Sequence, residues 1–294
     1  MRIGPRNLGI AVIATALVCG SVGAPCAARA APAAHSMRAV SDTAPRGVGL
    51  WSLYERALSG ARYVDLTHTF GPDTPHWKGF GAMTVRSLYT IPKAGFQVDQ
   101  YTHVGQWGTH VDAPCHFHLG LKCVDQISPK DMLLPLVVLD VHEKVARDPD
   151  YRIGMDDVRS WESRHGRIPA HAFVAMRTDW SKRWPNQDAM QNRDAKGVGH
   201  YPAWSMPVLK FLLLQRHAAA IGHETTDTDG GIGASRDDYS LESYVLGTNH
   251  YQIEMLADLD EVPEAGALVM VTFPKPGHGT GFPARVVAIV PAGE

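Results

Sequence analysis

Between Tyr101 and His118 the chain reads YTHVGQWGTHVDAPCHFH, which packs His103, His110, His116 and His118 around Asp112, Gly105 and Gly108. Imidazole and carboxylate are the side chains that divalent transition metals prefer as ligands. His110 and Asp112 stand two residues apart, so on an extended strand they point to one face and Val111 to the other. Pro114 cannot donate to a strand ladder, so such a strand ends or turns beside it. Any one of these histidines alone would read as an ordinary loop residue. The cluster reads as a metal site, because ligand types converge at short spacing.

The elements that must position these residues belong to a chain of 294 residues, 45% hydrophobic and 20% charged. That is globular composition, enough for one large domain or two small ones. A formal net charge of −2 gives no electrostatic case for nucleic acid. Residues 1–30 carry Arg2 and Arg6, an apolar run from Leu8 to Ala24, and Ala28-Arg29-Ala30. This is the pattern of an export signal cleaved after Ala30. The run is broken by Gly20, Ser21 and Gly23 and is short for a membrane span. Val18 and Pro25 precede Cys19 and Cys26, where a lipoprotein signal would place a small residue. A soluble periplasmic or secreted protein is expected, with no membrane partner once the signal is removed. Its remaining cysteines, Cys115 and Cys123, could pair in an oxidising compartment or stay as buried thiols.

Residues 31–49 are small, polar and proline-containing, a flexible lead-in to a domain over 50–294. Within it, 50–58 has helical spacing and 63–70 reads as a strand ended by Gly71-Pro72-Asp73. The glycine- and proline-rich segment with Trp77, Phe80 and Phe96 reads as a long loop whose aromatics can line a pocket. Further strands are expected at 133–141, 171–178, 251–255, 267–273 and 284–290, and helices at 155–165, 206–219 and 241–246. A short strand is entered at 220–222. Residues 180–201, 230–233 and 274–283 read as irregular or loop. Strands interleaved with few helices give an α/β class with a mixed sheet.

Gly108-Thr109-His110-Val111-Asp112-Ala113-Pro114-Cys115-His116-Phe117 resembles the signature H-x-G-T-H-x-D-x-P-x-H-F of the cyclase family, which includes bacterial kynurenine formamidase and isatin hydrolase. Val64-Asp65-Leu66-Thr67-His68 is similar to that family's opening D-L-S/T-H strand, and Arg177-Thr178-Asp179-Trp180 to its R-T-G-W segment. The stretch from Ile253 to Leu259 is similar to E-N-L-x-N-L, and the stretch from Gly281 to Arg285 to the closing S-P-A-R. The resemblance spans nearly all of the chain beyond the leader. It implies a swivelling β/β/α domain, a divalent metal (zinc or manganese), a small-molecule substrate and a homo-oligomer.

Two ligand positions depart from the family pattern. Gln106 stands where the family has its first histidine, and Glu242 where two-metal members have another, twelve residues before Glu254. An amide oxygen can bind a metal or hold a metal's water, and carboxylates suit harder cations such as Mn²⁺. The resemblance implies one metal on His110 and Asp112, with or without Gln106, and a second arrangement on Asp112, Glu242 and Glu254. Glu254 could instead hold Gln252 or an arginine in a structural pair. His103 and His118 match no ligand position, and Asp227 and Asp229 suit a turn. His250 and Tyr251 are pocket or surface residues, and Trp77 and Trp107 stacking or core residues.

The chemistry implied is hydrolysis of an amide or cyclic amide by metal-activated hydroxide, arylformamidase-like, with His116 as proton carrier. Tryptophan catabolism follows from the family alone. A cyclase or dehydratase using the same His116, and a non-catalytic exported binding protein, stay open. No G-x-S-x-G stretch supports a serine hydrolase.

Overall fold

A run such as Leu136-Val137-Val138-Leu139 has no face it can leave in water, so its strand must be covered on both sides. A computed structural model, which describes residues 49–293, shows how. The leader expected over 1–30, and nearly all of the lead-in over 31–49, lie outside the described residues.

Nine strands form one sheet: β1 (Arg62–Asp65), β4 (His110–Asp112), β5 (Leu133–Asp140), β6 (Phe173–Arg177), β7 (Ala220–His223), β8 (Tyr251–Glu254), β9 (Leu268–Thr272), β10 (Gly281–Pro283) and β11 (Arg285–Val290). Their order is β1-β11-β9-β5-β6-β7-β8-β4-β10. The strands from β5 to β8 pair in parallel and the other pairings are antiparallel. Alternation along the central strands feeds two cores. Leu136, Val138, Phe173 and Ala175 join Val269, Val271, Val286 and Ala288 in a core enclosed by the curled sheet. Val137, Leu139, Val174 and Met176 turn the other way, onto Val158 and Trp161 of the helix Met155–His165 and Val208, Leu209 and Leu212 of the helical segment from Met206 to Gln215. This β/β/α layering is the expected mixed α/β class.

The remaining strands, β2 (Thr84–Tyr89) and β3 (Val98–Thr102), make a separate two-stranded ribbon in the segment read as a long loop. Every residue of β2 is exposed, and Phe96 lies out here. The helical spacing at 50–58 becomes an α-turn, Leu50–Leu53, running into a π-turn, Tyr54–Leu58, with its apolar side chains outward. The helix expected to reach 219 stops at Gln215, and the loop expected at 230–233 is a short helix, Gly230–Ala234. Gly281–Pro283, read as loop, is the edge strand beside β4.

Candidate metal centre

Strand β4 is flanked by β8 and β10, which sets His110 opposite Glu254 and Pro283, and Asp112 opposite Gln252 and Gly281. The alternation of β4 then aims His110 and Asp112 the same way, as their spacing requires, while Val111 enters the enclosed core. Gly281 is needed here: a side chain at that position would run into the Gln106 amide. Gly108 enters the strand with a positive φ of 63°, and its carbonyl lies 2.8 Å from His110 Nδ1. That bond places the ring proton on Nδ1 and leaves the Nε2 lone pair facing inward.

His110 Nε2 lies 3.5 Å from Asp112 Oδ2 and 3.6 Å from Glu254 Oε2, beyond hydrogen-bonding distance of either. These three residues are buried, and their ligand atoms lie within 4.8 Å of one another. A second group, Asp112, His116 and Glu242, meets the same criterion and shares Asp112. His116 comes from the turn Pro114–His116 that follows β4, and Glu242 from the first turn of the helix Ser240–Gly247. Asp229 accepts from the Leu241 and Glu242 amides at 2.7 and 3.0 Å and fixes the start of that helix. Cys115 and Cys123 form a disulfide with Cα atoms 5.1 Å apart, closing the loop that carries His116. His118 Nε2 donates to the Ser243 carbonyl at 2.8 Å, tying that loop to the residue after Glu242.

The electrostatics favour a cation. Burial, and then the charges of Asp112 and of neighbouring carboxylates, push Glu242 and Glu254 well above the usual carboxylate range. Burial also raises Asp227 to about 6, although Tyr201 and Thr226 donate to it. Among the described residues lining the cavity there is no lysine or arginine. Asp112 Oδ1 is buried without a partner. Crowded carboxylates, an orphaned oxygen and an inward imidazole lone pair fit a divalent metal bound by nitrogen and oxygen.

The cavity holds about 210 Å³ and is lined by both ligand groups and by Trp77, Phe80 and Tyr239. Trp77 Nε1 donates to the Tyr239 hydroxyl at 3.0 Å, and Trp77 meets Phe80 edge to face at 5.2 Å. Gln106 lines the cavity too, with its amide nitrogen buried and unpaired. Glu254 lies in the ligand group and also accepts from Gln252 at 3.0 Å, so both of its sequence-based readings coexist. His103 and His118 stand in neither ligand group. His250 lines a separate cleft with Lys122 and His171, and Trp107 is core, stacked on His76. Sequence reasoning passed over Asp227 as a turn residue, yet it lines the cavity. It gave no role to Thr228, which holds the Gln252 amide at 2.8 Å, or to His223, 3.4 Å from Glu254.

The Cyclase family model matches residues 64–230, more than half of the chain. Isatin hydrolase of Roseibium aggregatum is 30% identical over 257 residues, covering 82% of this chain and 97% of that protein. Isatin hydrolase A from Ralstonia solanacearum superposes with a TM-score of 0.76 at 30% identity, over 84% of this chain and 99% of that one. An isatin hydrolase bound to the product analogue thioisatinate gives 0.74 at 28% identity, over 79% and 93%. With the matched segment containing β4, its turn and Asp112, the chain belongs to the cyclase family.

Proposed function

We propose that this chain is a metal-dependent hydrolase that opens an amide or cyclic amide of a small aromatic molecule. One observation carries the reading: two ligand groups meet at Asp112 in a cavity that Trp77, Phe80 and Tyr239 also line. His110, Asp112 and Glu254 would hold one cation, zinc or manganese; Asp112, His116 and Glu242 are the second set. When bound, such an ion polarises a carbonyl oxygen and lowers the pKa of water toward ~7.

The chain's own groups do the rest. Trp77, Phe80 and Tyr239 offer flat apolar faces that orient a planar ring and exclude water. His116, half-buried beside Asp112, takes the proton of the attacking water and returns it to the nitrogen as the C–N bond breaks. Water is consumed and a carboxylate forms, so a cyclic amide becomes a ring-opened amino acid. The names of the relatives support isatin as the first substrate to test, with an N-formyl arylamine second. The Cys115–Cys123 disulfide supports action in a periplasmic or secreted setting, where such bonds persist.

The test is to strip the purified chain with a chelator and offer isatin or formanilide with and without Mn²⁺ or Zn²⁺. From isatin a metal-dependent product heavier by one water is expected, and from formanilide aniline together with formate. No turnover of either substrate with either ion would refute the hydrolase reading.

A further inference from the structure

His223 ends β7 with no exposed surface, next to the ligand group but outside it. Its Nδ1 lies 3.2 Å from the indole Nε1 of Trp204, itself fully buried. Indole can only donate, so Nδ1 must be the acceptor, and the proton of the neutral ring sits on Nε2. That Nε2 is buried and finds no conventional hydrogen-bond partner. The carboxylate oxygen it faces is Glu254 Oε1, at 3.4 Å. Oε1 also accepts from Gln252 at 3.0 Å, while the other oxygen, Oε2, faces His110.

We infer that His223 is a positioning residue for the metal centre: Trp204 fixes its tautomer, and its Nε2–H faces Glu254 Oε1, so that Oε2 is the oxygen presented as a ligand. The inference rests on the proposed metal site and assigns a division of labour within it. A proton on Nε2 also bars His223 from being a ligand itself, although it is a buried imidazole beside one. Trp204 is held in turn by its backbone N–H, which donates to the Thr228 carbonyl at 3.1 Å. The indole therefore connects the turn after β7 to a ligand carboxylate on β8.

Two measurements on the full chain test this. In protein carrying ¹⁵N-histidine, the His223 ring should show a protonated Nε2 and an unprotonated Nδ1, with or without metal, and Trp204→Phe should abolish that preference. An unprotonated Nε2 in the native protein would overturn the inference. This readout stands even if no metal binds, an outcome that would sink only the proposed function. The second measurement is Mn²⁺ and Zn²⁺ affinity by competition with a chromophoric chelator, alongside melting of the metal-free forms. Partners that orient a ligand typically matter ~10–100-fold in affinity. His223→Leu should lose about that much, and His223→Gln, which can accept from Trp204 and donate to Glu254, should recover most of it. Native affinity in His223→Leu would refute the role, as would equal losses in the Leu and Gln variants with unchanged metal-free melting.

Discussion

Asp112 serves both ligand groups, so its loss is expected to differ in kind from the loss of its neighbours. Asp112→Asn should abolish metal binding altogether, whereas Glu242→Gln should leave the His110 group loaded; elemental analysis distinguishes them. His116 sits where a proton carrier and a ligand would both sit. His116→Ala is expected to slow turnover ~10²–10⁴-fold with metal content retained, as removal of a general acid–base group does. Metal loss in that variant would reassign His116 to the second ligand set. The pair His110 and Asp112 was legible from two-residue spacing alone. His223 was not: its role depends on Trp204, nineteen residues away, and on a strand pairing that no local pattern announces.

At the scale of elements, the Cys115–Cys123 disulfide and the helix Ser240–Gly247 together hold the outer ligand set. Replacing both cysteines by serine removes a short covalent loop, worth about 2–3 kcal/mol on chain-entropy grounds. Melting should fall by roughly 5–10 °C for a domain of this size, with turnover falling further than metal content. On the far face of the sheet, Glu162 of the helix Met155–His165 receives Arg216 through two bonds of 2.6 and 2.8 Å. Arg216 lowers the Glu162 pKa, so the pair stabilises the fold above the unfolded value near 4.5 and is lost as pH falls through the lower folded value. Arg216→Ala should cost ~1 kcal/mol by urea unfolding at pH 7, and less once the pH has fallen through the lowered folded value.

That helix was readable because its apolar residues recur at helical spacing and have a core to enter. The ribbon of β2 and β3 was not, since glycine and proline surround it and its apolar residues enter no core. The edge strand β10 was invisible for another reason: Gly281 and Pro283 disfavour a strand, and only the register with β4 makes the segment one.

For the molecule as a whole, that ribbon is the exposed feature that needs explanation. Val85, Tyr89, Val98 and Tyr101 are all at least 39% exposed, and a lone two-stranded ribbon is marginal in water. Assembly of copies through it is expected, as a sedimentation mass above that of one chain. Tyr89→Glu with Tyr101→Glu should return the mass to one chain without changing metal affinity.

The placement of β4 between β8 and β10 also has a temporal consequence. Asp112 and Gln252, which hydrogen-bond across that pairing, are 140 residues apart in sequence, and β10 is made later still. As the chain is synthesised, His110 and Asp112 emerge early and wait unpaired for the segment that will enclose them. The site is thus closed by nearly the last strands to appear, so metal uptake is expected only from the completed fold. Ending the chain before Gly281 would delete no ligand, yet it should yield a protein that takes up no metal.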